Sequence, residues 1–223
     1  GLYFDKEDFK NGLPVLEKLI RHYPKAQYWK QLSQVYRMLN REKEALAALE
    51  VCYQMGGLTT ERDLVNLSYM YLEAEVPYKA VKVLRKGIYT DKSIEPTAKN
   101  LKTLADSLRL SQDVKDSIAE YEKAAQKSTD GELIIGLAQS YLATDNFKNA
   151  SKWARQALRA GGLKRVDSAN LVVAAAELEL KNYDEAIKFF EEAAKDARSK
   201  DLANRYISHA KSEKERAIKL AQE

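Results

Sequence analysis

A small residue followed four places later by a second packing residue returns at near-constant intervals along this 223-residue chain. Ala45-x3-Leu49 recurs as Ala80-x3-Leu84, Ser117-x3-Tyr121, Ala150-x3-Ala154 and Ala186-x3-Phe190, and the leading residues stand 35, 37, 33 and 36 apart. An upstream pattern keeps step with it: Leu32-Ser33-x2-Tyr36, Leu67-Ser68-x2-Tyr71, Leu104-Ala105-x2-Leu108, Leu137-Ala138-x2-Tyr141, then Val173-Ala174. A fixed period of this length is the mark of stacked supersecondary units, each too small to bury its apolar face alone.

The units are helical. Nine Gly and four Pro are few for an all-β chain, and long stretches rich in Ala, Leu, Glu, Lys, Gln and Arg favour helix. Thr60-x2-Asp63 and Thr129-x2-Glu132 read as capping boxes at helix starts. Pro77 and Pro96 suit first-turn positions, where a missing N–H costs little. Gly56-Gly57 and Gly161-Gly162 follow second helices, where positive φ is expected. Small residues at Ser33, Ser68, Ala105, Ala138 and Ala174 let paired helices approach, and Tyr36, Tyr71 and Tyr141 fill the space between neighbouring pairs.

Trp29-x2-Leu32-Ser33-x2-Tyr36 followed by Ala45-x3-Leu49 resembles the tetratricopeptide repeat (TPR), whose pattern is W-x2-L-G-x2-Y and then A-x3-F with a period of 34. The resemblance implies an all-α TPR right-handed superhelical solenoid of antiparallel helix pairs with a C-terminal capping helix. The expected organisation is a partial leading unit over 1–25, mainly its second helix, and five repeats over 26–60, 61–97, 98–130, 131–166 and 167–199. The capping helix spans 200–223, packing through Leu202, Tyr206, Ile207 and Ala210. Tyr3, Phe9, Gly12, Leu16 and Pro24 hold the leading unit's positions, so the chain is expected to be a piece of a longer protein or to carry an atypical end. An uncovered first repeat can pair with a second copy as a homodimer.

Several function classes fall away. A net charge of +4, with eight cations against five acids from Lys195 onward, is too little for a nucleic-acid binder. No apolar run approaches the ~20 residues of a membrane span. The chain has no phosphate loop, zinc-ligand pairing or G-x-S-x-G. Its two histidines, His22 and His209, fall at a helix end and in the last helix, away from Cys52. Cys52 reads as a small buried hydrophobe and Trp29 as a packing residue. No catalytic residue, metal or cofactor is expected.

Function then belongs on the inner face lined by first helices. The positions facing it supply Lys30, Gln34 and Arg37, then Tyr69, then Lys99, Lys102 and Arg109, then Ile135 and Gln139. That face is basic early and apolar late, which suits an acidic then aliphatic partner or simply keeps the groove soluble. Chaperone-binding TPR domains hold a C-terminal carboxylate with Lys, Asn, Asn, Lys and Arg; the corresponding places here carry Lys30, Gln34, Asn66, Lys99 and Thr103. The alternative function is therefore a cytoplasmic receptor for acidic C-terminal peptides. The missing Arg removes the bidentate contact.

A second resemblance spans about residues 13 to 200. The "EVPYKA" turn, "AKNLKTLA", "ALRAGG" and the two Gly-Leu turns are similar to a bacterial TPR family associated with TonB energy-transduction systems. It implies a periplasmic, non-catalytic adaptor near TonB, ExbB and ExbD that supports nutrient uptake, and it brings no defined binding residues.

Overall fold

The computed structural model describes residues 9–222; Tyr3 lies outside them. The chain divides into two compact units, one ending at Pro96 and the other beginning at Thr97. The first holds α1 (Phe9–His22), α2 (Ala26–Met38), α3 (Glu42–Gln54), α4 (Glu61–Glu73) and α5 (Pro77–Arg85), which runs into a π-helical turn over Lys86–Thr90. The second holds α6 (Ala98–Leu110), α7 (Val114–Ala125), α8 (Gly131–Leu142), α9 (Phe147–Ala160), α10 (Val166–Glu179), α11 (Tyr183–Ala193) and α12 (Lys200–Leu220). Within each unit successive helices pack on one another in chain order, so both are all-α stacks of helix hairpins.

The hairpins close on the small residues. Ser68, Ala105, Ala138 and Ala174 of first helices are fully buried, as are Ala45, Ala80, Ser117, Ala150 and Ala186 of second helices. Ala210 of α12, 36 residues after Ala174, is also fully buried, so α12 takes a first helix's place against α11.

Each hairpin turns in one way. Asn40, Glu75, Gln112, Asp145 and Lys181 have φ between 56° and 65°, spaced 35, 37, 33 and 36 apart like the buried small residues. In the first turn Asn40 N–H donates to Arg37 C=O at 3.0 Å and Arg41 N–H to Tyr36 C=O at 2.8 Å. The same six-to-one bond runs from Val76 to Tyr71, Asp113 to Leu108, Asn146 to Tyr141 and Asn182 to Glu177. This is the Schellman closure, in which glycine is the usual left-handed residue. Only Asn and Asp among these five accept that conformation readily.

Neighbouring hairpins are stitched by a phenol and a carboxylate. Tyr36 donates to Glu17 at 2.9 Å, Glu50 hydrogen-bonds Tyr71, and Tyr141 donates to Glu122. Each Glu stands five places after the small residue of its second helix. Burial and then the adjacent Glu122 push the Tyr141 phenol up to about 12. Between α9 and α10 the polarity is exchanged: Arg155 occupies the Glu place and Glu177 the Tyr place, joined at 2.9 Å. Glu177 is buried with Ser151 and Asn182 donating to it, and these bonds outweigh burial to keep its carboxyl below the ordinary value.

A second stitch joins the first turn of a first helix to the linker beyond its hairpin. Glu61 accepts Glu95 N–H at 3.3 Å, and Glu132 accepts Lys164 N–H at 2.7 Å. Asp167 accepts the Ser199 hydroxyl at 2.6 Å at the start of α12. The Arg165 guanidinium grips Asp167 in a fork, and despite burial holds its carboxyl well below the usual range.

Four expectations change. Thr60 caps α4, but Asp130 rather than Thr129 caps α8, accepting Glu132 N–H at 3.0 Å. Pro77 opens α5, whereas Pro96 stays outside α6, which Thr97 caps. Gly56, Gly161 and Gly162 have positive φ, but Gly57 does not; a Cβ there would stand 2.5 Å from Ala26 Cβ and 2.8 Å from Cys52 Sγ. In α12 Leu202 is 40% exposed; Ala203, Ile207 and Ala210 pack inward instead, with Tyr206 stacked on Phe190 at 5.2 Å.

Gln112→Gly and Lys181→Gly should each raise stability by about 1 kcal/mol, read from the urea midpoint, because relief of left-handed strain exceeds glycine's entropy cost. The same change at Asn40 should do little. Asp167 and Glu177 titrate below their unfolded values, so their stabilisation is complete above the ordinary carboxylate range and is lost as pH falls through and below it. Asp167→Asn should lower Tm at pH 7 and shrink the fall in Tm between pH 7 and pH 3; a fall of unchanged size assigns the acid sensitivity elsewhere.

Candidate interaction face

In the first unit, α2 and α4 bring Lys30, Gln34, Arg37, Asn66 and Tyr69 together. Lys30, Gln34 and Arg37 follow one another at helical spacing on α2, which puts them on one face. Gln34 and Arg37 are exposed, and Asn66 and Tyr69 are half-buried. The Arg37 guanidinium donates to Asn66 Oδ1 at 3.3 Å, and Asn66 Nδ2 lies 3.9 Å from Met70 Sδ. Lys30 Nζ meets Asp63 Oδ2 at 2.6 Å. Burial pushes the Asp63 carboxyl up, but hydrogen bonds from Lys30 and Thr60 outweigh it and hold it below the ordinary value.

Asp63, whose N–H the cap residue Thr60 accepts, also partners a cation 33 residues earlier, a pairing that the sequence signals only through the repeat spacing. It changes the electrostatics of the face: Lys30 is neutralised within the fold, and Arg37 has Glu42 at 3.9 Å as well as Asn66. This face offers hydrogen-bonding groups held in place rather than a field of free positive charge.

In the second unit, α6 carries Lys99, Lys102 and Arg109, and α8 carries Ile135 and Gln139. Lys99 is exposed. Lys102 Nζ pairs with Asp106 Oδ2 at 2.7 Å, and the Tyr121 hydroxyl of α7 donates to Asp106 Oδ1. Burial and then Asp106 drive the Tyr121 phenol far upward, against a smaller opposing pull from Arg109. The Arg109 Nε atom is buried without a hydrogen-bond partner. Ile135 is only 8% exposed and belongs to an apolar cluster with Leu101, Ala138 and Val172, so it presents little surface to a ligand. Gln139 is half-buried.

The third repeat departs from the others here. Leu108 stands at the Tyr place, and Tyr121 enters from the second helix instead. Gly136 of α8 makes that entry possible, since a Cβ there would lie 2.7 Å from the Tyr121 hydroxyl.

The carboxylate-clamp arrangement is weakened. Lys30 and Asn66 are engaged by Asp63 and Arg37, and Thr103 is buried and donates to the Lys99 carbonyl. Elsewhere, Cys52 is fully buried, and burial pushes its thiol up. Trp29 is half-buried, and His22 and His209 are exposed. Among the described residues no helix is long and apolar enough to cross a membrane.

Residues 135–201 match a family model described as tetratricopeptide repeat. No curated protein matches the sequence. Among solved structures, YrrB, "a TPR protein with an unusual peptide-binding site", superposes with a TM-score of 0.67 at 12% identity, over 86% of this chain and 96% of that one. The C-terminal part of a TPR repeat-containing protein from Cytophaga hutchinsonii gives 0.66 at 15% identity, over 95% and 86%. MamA gives 0.64 at 15% identity, over 81% and 94%. At such identities the likeness shows the fold: an all-α solenoid of tetratricopeptide repeats.

Gly136→Ala should displace Tyr121 and lower stability by about 1–3 kcal/mol, read from the urea midpoint. Adding Tyr121→Leu should make the two losses less than additive; strict additivity would show that the ring and the missing Cβ do not share the space.

Proposed function

We propose that this TPR chain is a non-catalytic scaffold that binds another protein through its first-helix faces, as a periplasmic adaptor of a TonB-dependent transport system. The observation that carries the scaffold reading is the α2–α4 face. It gathers Gln34, Arg37 and Asn66 from consecutive hairpins, outside the hairpin cores, and the Arg37–Asn66 bond holds them in register. Groups held this way lose little side-chain freedom on binding a partner's polar backbone or side chains. The TonB assignment rests on the "EVPYKA", "AKNLKTLA" and "ALRAGG" segments. YrrB's peptide-binding site gives a precedent for a ligand-binding chain of this fold.

The purified chain should capture a TonB-system protein from a periplasmic extract of a bacterium that has one, and bind its isolated periplasmic domain in titration. Gln34→Ala with Arg37→Ala should weaken that binding by about tenfold, as expected for two exposed polar contacts at an interface. Capture of other proteins but no TonB-system component overturns the adaptor assignment and leaves the scaffold. Unchanged capture by the double variant overturns the role of this face.

A further inference from the structure

The last helix is longer than its place in the stack requires. α12 runs 21 residues, where the other first helices of the second unit, α6, α8 and α10, run 13, 12 and 14. It packs on α11 through Ala203, Ile207 and Ala210, and Lys214 reaches Asp184. Every residue from Glu215 to Leu220 is exposed, so the helix continues for more than a turn without a partner in this chain.

A second face runs the whole length of α12 beside the packed one. Leu202, Tyr206, His209, Glu213, Arg216 and Leu220 follow one another in steps of four and three. That is the heptad spacing of a coiled-coil seam. All six are exposed except Glu213, which is half-buried. The seam is not made for the second helix of another hairpin. In the other first helices the residue before the small one is apolar and buried, as at Leu104, Leu137 and Val173. In α12 that place is His209, and it is exposed.

The two halves of the seam match each other instead. A second α12 turned end over end about the middle of the seam places Leu202 on Leu220, Tyr206 on Arg216 and His209 on Glu213, and the two-fold symmetry repeats each pair. The leucines close both ends, the Arg216 guanidinium can lie over the Tyr206 ring, and a His209 ring N–H can donate to the Glu213 carboxylate. Within one chain Arg216 stands 3.9 Å from Glu213, at the limit of ion pairing, so the second copy gives both a closer partner. At the flank Asp201 comes beside Lys219, while Arg205 comes beside Arg216, a like-charge contact that keeps the pairing weak. A slip of one heptad in either direction shortens the overlap and sets a leucine on Glu213 or on His209. In the unslipped register the turns that project beyond α11 lie on the first turns of the other copy.

We propose that the exposed seam of α12 is a homotypic docking surface, on which a second copy of this chain packs its own α12 antiparallel. From Leu202 to Leu220 the seam is about 27 Å long and one helix wide, the size of a weak, reversible interface. It is separate from the α2–α4 face and does not depend on what that face binds.

The test is sedimentation equilibrium of the intact chain from ~5 to ~500 µM, the range that a small interface demands. The chain should pass from monomer to dimer as concentration rises. Glu213→Lys should raise the dimer dissociation constant at least about tenfold, and adding His209→Glu should restore it, because the exchange rebuilds the pair in reverse. Leu202→Cys with Leu220→Cys should give a disulfide-linked dimer on oxidation. Those two places are too far apart to join within one helix, and Cys52 is fully buried. Val15→Ala/Tyr23→Ala, which trims exposed side chains at the first repeat, should leave the dimer unchanged. A chain that stays monomeric throughout overturns the proposal, and so does a dimer that Glu213→Lys leaves intact. Loss of the dimer in the Val15/Tyr23 variant assigns it to the first repeat and overturns the proposal as well. Crosslinking of Leu202→Cys alone as readily as of the pair overturns the antiparallel register.

Discussion

The whole structure depends on two helices approaching at residues with almost no side chain. Ala45, Ala80, Ala150 and Ala186 are fully buried, and so are Ser68, Ala138 and Ala174, with Ser33 nearly so. None of these contributes much apolar area itself. Their smallness brings the backbones close enough for larger neighbours such as Leu67, Leu84, Leu137 and Phe190 to leave water entirely. The left-handed turn residues fall at the same intervals as the alanines, so the crossing point fixes the length of the helix before each turn. Glu75, Gln112 and Lys181 are strained there because the turn's hydrogen bonds and the crossing together leave the chain no other path.

Contact between hairpins is more tolerant than contact within them. The gap between one second helix and the next first helix must be filled and its polar atoms satisfied, but either side can do it. A tyrosine reaches a glutamate at Tyr36, Tyr71 and Tyr141. At Arg155 and Glu177 a longer cation from the second helix meets an acid on the first, with Ser151 and Asn182 completing the acid's bonds. Removing one member of such a buried pair leaves an uncompensated charge, which explains why both ends are altered together. Arg85 stands at the Glu place of α5 and Leu108 at the Tyr place of α6, so the pattern of residue types is not kept in every repeat.

The sequence spoke clearly where a residue type is needed for its size. Ser33, Ala45 and their counterparts repeat because nothing larger fits, and their period gave the helix pairs without reference to charge. It was less legible where tertiary context decides. Asp130 and Thr129 are both good caps, and only the turn leading into α8 selects Asp130. Leu202 and Ala203 are both apolar enough to face inward, and one step around α12 separates the packed residue from the exposed one. On the α2–α4 face the cations of α2 suggest a basic groove, yet Asp63 of the next hairpin lies within bonding distance of Lys30 and cancels its charge. Long-range pairing of this kind has no local signature beyond a spacing near the repeat length.

That distinction bears on where a partner would bind. Charge that the fold pairs internally is already oriented and bonded, and a ligand would have to displace the existing partner before gaining anything from it. Lys30 and Lys102 are of this kind. Exposed polar groups, such as Gln34 and the Arg37 that Asn66 holds, can join a new interface at little cost to the fold. Charge that is exposed and unmatched acts over a longer distance and with less geometric selectivity. The α2–α4 face therefore suits recognition at contact better than long-range electrostatic capture.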